Sequence, residues 1–189
     1  MSDFPKIKSR HTIDISPWMK IIEREVEFSA GATPELYHAV GQQDYIAIVA
    51  MTPDGKIPIV RQYRPALERF TWELPAGLVD KGEAAAETCG RELMEETGFP
   101  AKAVHELGSF APCTARLSNQ LHSFFVECGP RPSDAAVEPG IELKLVSPAE
   151  LAELIRSGEF TLQLHIGALL LAGMAGHIDL AAFGAHKAL

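Results

Sequence analysis

The sequence predicts an α+β fold, and three observations carry that prediction. Strand signals come mostly in runs, one long helical segment is inserted among them, and two more helices close the chain. That order packs helices against a mixed sheet. At 189 residues and 47% hydrophobic content, the chain can bury one substantial core. Residues 1–41 read as an N-terminal antiparallel β extension and 42–189 as the main domain.

In the extension, Lys20 to Phe28 mixes β-branched and aromatic residues with charges. Gly31-Ala32-Thr33-Pro34 is a turn, and Glu35 to Val40 is a second short strand. Two strands alone are marginal, so this unit must pack on the main domain or on a partner subunit. Asp44 to Met51 is a nearly continuous apolar run and predicts a buried strand. Thr52-Pro53-Asp54-Gly55 turns the chain, and Lys56 to Tyr63 returns as its partner. Trp72 to Gly77 leads into a helix ending near Gly98. Strands follow at Val104–Phe110, Leu121–Glu127 and Glu142–Val146. Ser147-Pro148-Ala149-Glu150 is a capping box with Pro at the first helical position. That helix stops at Gly158, and a last one covers Leu162 to about Gly176.

Composition excludes several function classes. A net charge of −8 argues against a nucleic-acid polymer as partner, since such proteins carry a basic surface. A small phosphorylated substrate remains compatible, because a metal and a few arginines supply local positive charge. Three scattered cysteines make neither a disulfide framework nor a zinc site and suit a reducing compartment. The N-terminus lacks the apolar run of a signal peptide. The segment Leu162–Met174 is too short to span a bilayer and contains Gln163, His165 and Gly167. A cytoplasmic protein without membrane partners is expected.

The chemistry concentrates between Gly77 and Phe99, in GLVDKGEAAAETCGRELMEETGF. Ala84 to Thr97 is rich in helix formers. Ala86, Cys89, Leu93 and Thr97 fall at helical spacing and are expected to face the sheet. Glu92 and Glu96 are four apart on another face, with Glu95 beside them. Clustered carboxylates destabilise a helix unless something neutralises them, and Mg²⁺ does so with oxygen ligands. Glu87 and Arg91, also four apart, form a candidate supporting ion pair. A bare pair of glutamates at this spacing is ordinarily a solvated face. Seven specified positions at about 7% usage each, however, match by chance in roughly one such chain per million.

The spacing of Gly77, Glu83, Arg91, Glu92, Leu93, Glu95, Glu96, Gly98 and Phe99 resembles the complete signature of the Nudix hydrolases. The resemblance implies an α/β/α sandwich around a mixed sheet, with this helix presenting glutamates to one to three Mg²⁺ or Mn²⁺ ions. By the same resemblance Glu92 and Glu96 are the principal metal ligands and Glu95 a third. Glu95, Glu96 and Arg91 are the catalytic candidates. The implied reaction is attack of metal-activated water on a phosphorus of a nucleoside diphosphate linked to another group, with no covalent nucleophile.

Val60-Arg61-Gln62-Tyr63-Arg64-Pro65 and Glu73-Leu74-Pro75-Ala76-Gly77 are similar to segments of the ADP-ribose pyrophosphatase and nucleotide-sugar branch. That similarity implies a metal contact from the Ala76 carbonyl and diphosphate contacts from Arg64 and Arg61, whose planar forks suit phosphate oxygens. Glu73 is either a ligand for the sugar or metal shell or a structural salt-bridge partner. The branch also implies a homodimer built through the N-terminal strands, with Trp18, Tyr37 and Tyr45 as candidates for stacking on a base. One departure stands out. The loop 111–120 places Asn119 where the branch carries a catalytic glutamate, and Asn cannot act as a base. Glu138, Glu142 and Glu95 are the alternative carboxylates, and Arg116 is a candidate phosphate or sugar ligand. The expected substrate is a nucleoside diphosphate sugar, ADP-ribose or a relative such as GDP-mannose. Dinucleoside polyphosphates, coenzyme A, oxidised nucleotides and a non-catalytic sensor are the alternatives.

Overall fold

The computed structural model describes residues 4–184, which divide into two compact units. The first takes the described residues up to Asp44 together with Ala111–Gln120. The second takes Tyr45–Phe110 and the described residues from Leu121 onward.

The first unit is a three-stranded antiparallel sheet of β1 (Lys6–Ser16), β2 (Met19–Glu27) and β3 (Glu35–Gly41), in that order. Strands β2 and β3 coincide with the two predicted ones, whereas β1 is an addition. Every residue of β1 is exposed, so it is made by ladder hydrogen bonds and not by burial of one face. Segment 111–120 docks on β3, where the Val40 N–H donates to the Arg116 carbonyl at 2.7 Å and the Ser118 N–H to the Val40 carbonyl at 3.1 Å. Asn119 is buried there, donating to the Gln43 carbonyl at 3.1 Å and accepting from Gln42.

The second unit holds β4 (Tyr45–Met51), β5 (Ile57–Arg64), β6 (Arg69–Glu73), β7 (Ala76–Leu78), β8 (Ala101–Phe110), β9 (Leu121–Cys128) and β10 (Glu142–Val146). Its helices are α1 (Ala85–Thr97), α2 (Pro148–Ser157), α3 (Gln163–Met174) and α4 (Ala181–Gly184). A mixed sheet runs β7-β4-β9-β8, with β4 and β9 parallel, and an antiparallel sheet runs β10-β5-β6. Strand β4 is central, and Ile46 through Ala50 are fully buried. Its pleat divides the core. Ile46, Ile48 and Ala50 pack with Cys89 and Leu93 of α1, while Ala47 and Val49 pack with Leu151 of α2 and Ala168 and Leu169 of α3. Helices on both faces of a mixed sheet give the predicted α+β sandwich.

Two details differ from the predicted pattern. Strands β6 and β7 occupy the stretch read as a lead-in to the helix, because Pro75 lacks an N–H and divides one extended segment into two strands. On α1, Ala86 is exposed, and Ala85 joins Cys89 and Leu93 on the apolar face, at the regular spacing of four. The predicted α2 cap is present, with the Ser147 hydroxyl accepting from the Glu150 N–H and the Glu150 carboxylate from the Ser147 N–H. Among the described residues no helix is long and apolar enough to cross a membrane.

Candidate active site

Helix α1 starts at Ala84 and ends at Gly98, whose φ of 72° makes it a left-handed cap donating to the Met94 carbonyl at 2.8 Å. Between these ends the acidic face has two parts. On the outer part, Arg91 gathers three glutamates. It donates to Glu83 at 3.2 and 3.1 Å, to Glu92 at 2.8 Å and to Glu95 at 3.1 Å. Arg91, together with the Thr88 hydroxyl at 2.7 Å, holds the Glu83 carboxyl down at about 2. The anticipated Glu87–Arg91 pair is not formed. Glu87 instead closes the cap by accepting from the Ala84 N–H at 3.2 Å.

On the inner part, Glu92 and Glu96 turn toward β7. Glu96 is 4% exposed and accepts from the Ala76 N–H at 3.0 Å. Glu92 lies against Gly77, where an added Cβ would stand 2.5 Å from its Cγ, so only glycine leaves room for this carboxylate over the strand. Burial, then the charges of Glu92 and Glu138, push the Glu96 carboxyl up to about 8 despite the Ala76 hydrogen bond. Burial also raises Glu92, against the pull of Arg91. Two carboxylates turned to adjacent residues of β7, one of them 4% exposed, offer the oxygen donors that a hard divalent cation takes. Glu95 does not join them. Its side chain is 51% exposed, and among the described residues no three His, Cys, Asp or Glu side chains stand in a metal-holding arrangement. The residues present therefore fit a cation that completes its shell with water and substrate phosphate, as Mg²⁺ commonly does, and not an all-protein cage.

A second charged group stands beside the pair. Arg64 closes a two-armed bond on Glu73, with Nε to Oε1 at 2.8 Å and Nη2 to Oε2, and the Thr71 hydroxyl also donates to Glu73. Burial works to raise the Glu73 carboxyl, but Arg64 and Thr71 outweigh it and hold it low. The charge of Glu96 in turn reaches Arg64, whose pKa is raised mainly by its bond to Glu73. Glu73, Arg64, Ala76, Glu92 and Glu96 thus form one cluster at the β6–β7 break.

The other candidates lie elsewhere. Arg61, an odd number of residues from Arg64, points from the opposite face of β5. It pairs with Glu142 at 3.1 Å and stacks 4.9 Å from the Phe70 ring. Tyr45 is half-buried in β4 and packs against the core. Trp18, 66% exposed, and Arg116, also exposed, belong to the first unit, as does Tyr37, which meets Phe28 edge-on at 5.7 Å. Asn119 serves as an anchor of segment 111–120. Of the three alternative carboxylates, Glu138 is the one whose charge raises both Glu92 and Glu96, and its N–H is tied to the Glu95 carbonyl at 3.0 Å. No motif marks this position, since the loop after Cys128 reaches α1 only through the tertiary fold. A cavity of about 690 Å³ at the other end of β4 is lined by Lys102, Glu127 and His177, and it gathers neither the acidic pair nor an arginine.

Residues 41–163 match the NUDIX domain, about two thirds of the chain. The chain belongs to the Nudix family. Among similar proteins, the ADP-ribose pyrophosphatase of Bacillus subtilis is 40% identical over 82 residues, 43% of this chain and 44% of that protein. The CMP-5'-(N-acetyl-N-hydroxy-3-aminopropyl)phosphonate hydrolase of Streptomyces rubellomurinus is 29% identical over 175 residues, 89% of this chain and 82% of that one. The match to the Bacillus protein thus spans less than half of its length. A crystal structure described as an ADP compounds hydrolase has the same fold, with a TM-score of 0.77 and 21% identity, covering 94% of this chain and 99% of the other.

Proposed function

We propose that this Nudix protein is a divalent-metal-dependent pyrophosphohydrolase. It splits the diphosphate of a nucleoside diphosphate sugar, ADP-ribose or a relative such as GDP-mannose, into a nucleoside monophosphate and a sugar phosphate. The observation that carries this reading is the pair of buried Glu96 and half-buried Glu92 beside the Arg64–Glu73 fork. The ADP-ribose pyrophosphatase from Bacillus, 40% identical over 82 residues, supports the substrate class.

Glu92 and Glu96 would hold Mg²⁺ or Mn²⁺ next to Ala76. A bound ion of this kind lowers the pKa of water and neutralises diphosphate charge. Arg64, released from Glu73, places its planar fork on the diphosphate oxygens. Glu138, whose backbone is tied to Glu95 and whose charge reaches the acidic pair, takes the proton of the attacking water. Arg91 holds Glu92 in place by its 2.8 Å bond while tethering Glu83 and Glu95. The protein works as a homodimer through the first unit, whose sheet exposes Ile7, Ile13, Ile15, Trp18 and Met19.

A substrate panel of ADP-ribose, GDP-mannose, a dinucleoside polyphosphate and a CMP-linked phosphonate tests the reading. Reactions run with Mg²⁺, with Mn²⁺ and with EDTA, and the released phosphates are identified by mass. Monophosphate plus sugar phosphate from a nucleotide sugar, abolished by EDTA, is the expected result. Indifference to EDTA, or no turnover of either sugar, refutes it.

A further inference from the structure

His165 sits on α3, 91 residues from Leu74 in the chain, and no motif includes it. It is 1% exposed, yet its ring has a specific task. Nδ1 accepts the Leu74 N–H at 3.0 Å, so the proton of the neutral ring is on Nε2. Leu74 is itself fully buried, and it stands where β6 ends and the ladder with β5 stops at the Val60–Glu73 pair. Its amide would otherwise be an unpaired buried donor.

The neighbours of Leu74 are the cluster itself. Glu73, one residue before, grips Arg64; Pro75, one after, gives its carbonyl to the Ile48 N–H at 2.9 Å; Ala76, two after, gives its N–H to Glu96 at 3.0 Å. These four consecutive residues each have a fixed partner on a different element. His165 supplies the one that comes from α3, where it is wedged beside Phe160 with ring centroids 6.4 Å apart.

We infer that His165 is a positioning residue: its bond to Leu74 fixes the β6–β7 crossover that sets the diphosphate-binding Arg64 against the Glu92–Glu96 pair. This rests on the metal-dependent hydrolase reading above, but it has consequences of its own. Side chains that act through a ligand's support commonly change metal affinity or activity by about 10- to 100-fold when removed.

The test compares H165L, which fills the space without an acceptor, with H165N, whose Oδ1 can replace Nδ1. Three quantities are read in the full-length protein: exchange of the Leu74 amide by NMR, Mn²⁺ affinity by EPR, and kcat and KM for ADP-ribose. H165L is expected to expose the Leu74 amide, weaken Mn²⁺ about tenfold and lower kcat about 10-fold or more, and H165N to restore most of all three. A folded H165L with wild-type kcat and Mn²⁺ affinity overturns the proposal, as does an H165N that protects the amide yet loses as much activity as H165L. Should H165L not fold, H165N decides: a protected amide with near-wild-type turnover supports the role, and a protected amide with tenfold lower turnover refutes it. Failure of the hydrolase reading looks different. It shows as wild-type protein that binds Mn²⁺ and protects Leu74 but cleaves no nucleotide sugar, and the affinity and exchange data still decide the role of His165.

Discussion

The two faces of strand β5 use the same residue type for opposite ends. Arg61 stands on one face among Tyr63, Phe70 and Trp72; its partner Glu142 is 61% exposed. Arg64 stands on the other with Glu73, whose side chain is 3% exposed. An ion pair open to water contributes about 0–1 kcal/mol, because solvent screens it and both side chains lose freedom. A carboxylate cut off from water must be matched by fixed donors, so its neighbours become ordered around it. Exposure of the partner, and not the arginine, separates a surface contact from a prepared site.

The largest expected effect breaks the buried face at its acidic end. Glu96→Gln keeps the shape of the side chain and removes its charge, and kcat should fall by about 10²-fold or more in a folded protein. Near-normal turnover with an unchanged circular dichroism spectrum would remove Glu96 from the chemistry. Gly77→Ala comes next. Its methyl would collide with the Glu92 carboxylate, so Mn²⁺ binding should weaken about tenfold, and unchanged affinity by EPR would show that Glu92 can move aside freely.

The arginines test the contrast itself. Arg64→Lys keeps the charge and loses the fork, and kcat/KM for ADP-ribose should drop about tenfold, roughly 1.4 kcal/mol. Arg61→Lys should change it by less than about twofold. Equal losses would mean that both faces reach substrate.

The smallest effects concern stability. Burial holds the His165 imidazole down at about 4, below its ordinary 6.5. The unfolded chain therefore binds a proton that the folded chain refuses as pH falls from 6.5 toward 4. This residue's contribution is complete above pH 6.5 and is withdrawn across that window, by roughly 3 kcal/mol in all. Urea unfolding of wild type and H165N between pH 7 and 4 should show a shallower loss in the variant. Parallel curves would mean that the buried imidazole is not the titrating group.

The acidic helix face was legible because helical periodicity is local: Glu92 and Glu96 share a face by their spacing alone. The Ser147 cap and the buried run of β4 were legible for the same reason. The partition of Arg61 from Arg64 follows from the period of two along a strand, but which face would meet the acids depended on packing of β5 against its neighbours. Glu95 illustrates the reverse. Its place in the signature suggests a third ligand, and in the fold its side chain meets Arg91 at 3.1 Å and is 51% exposed, a setting the spacing does not reveal.

By itself, the sequence determined the helix and its acidic spacing, which depend on contacts within a few residues, and the order of elements that gives the class of layered fold. Tertiary structure alone decided that the loop before β10 ties Glu138 to α1 through the Glu95 carbonyl, that Asn119 anchors a loop, and that His165 holds Leu74. Those pairings join residues far apart in the chain. Their energy comes from excluding water around them, and only the closed fold brings that about.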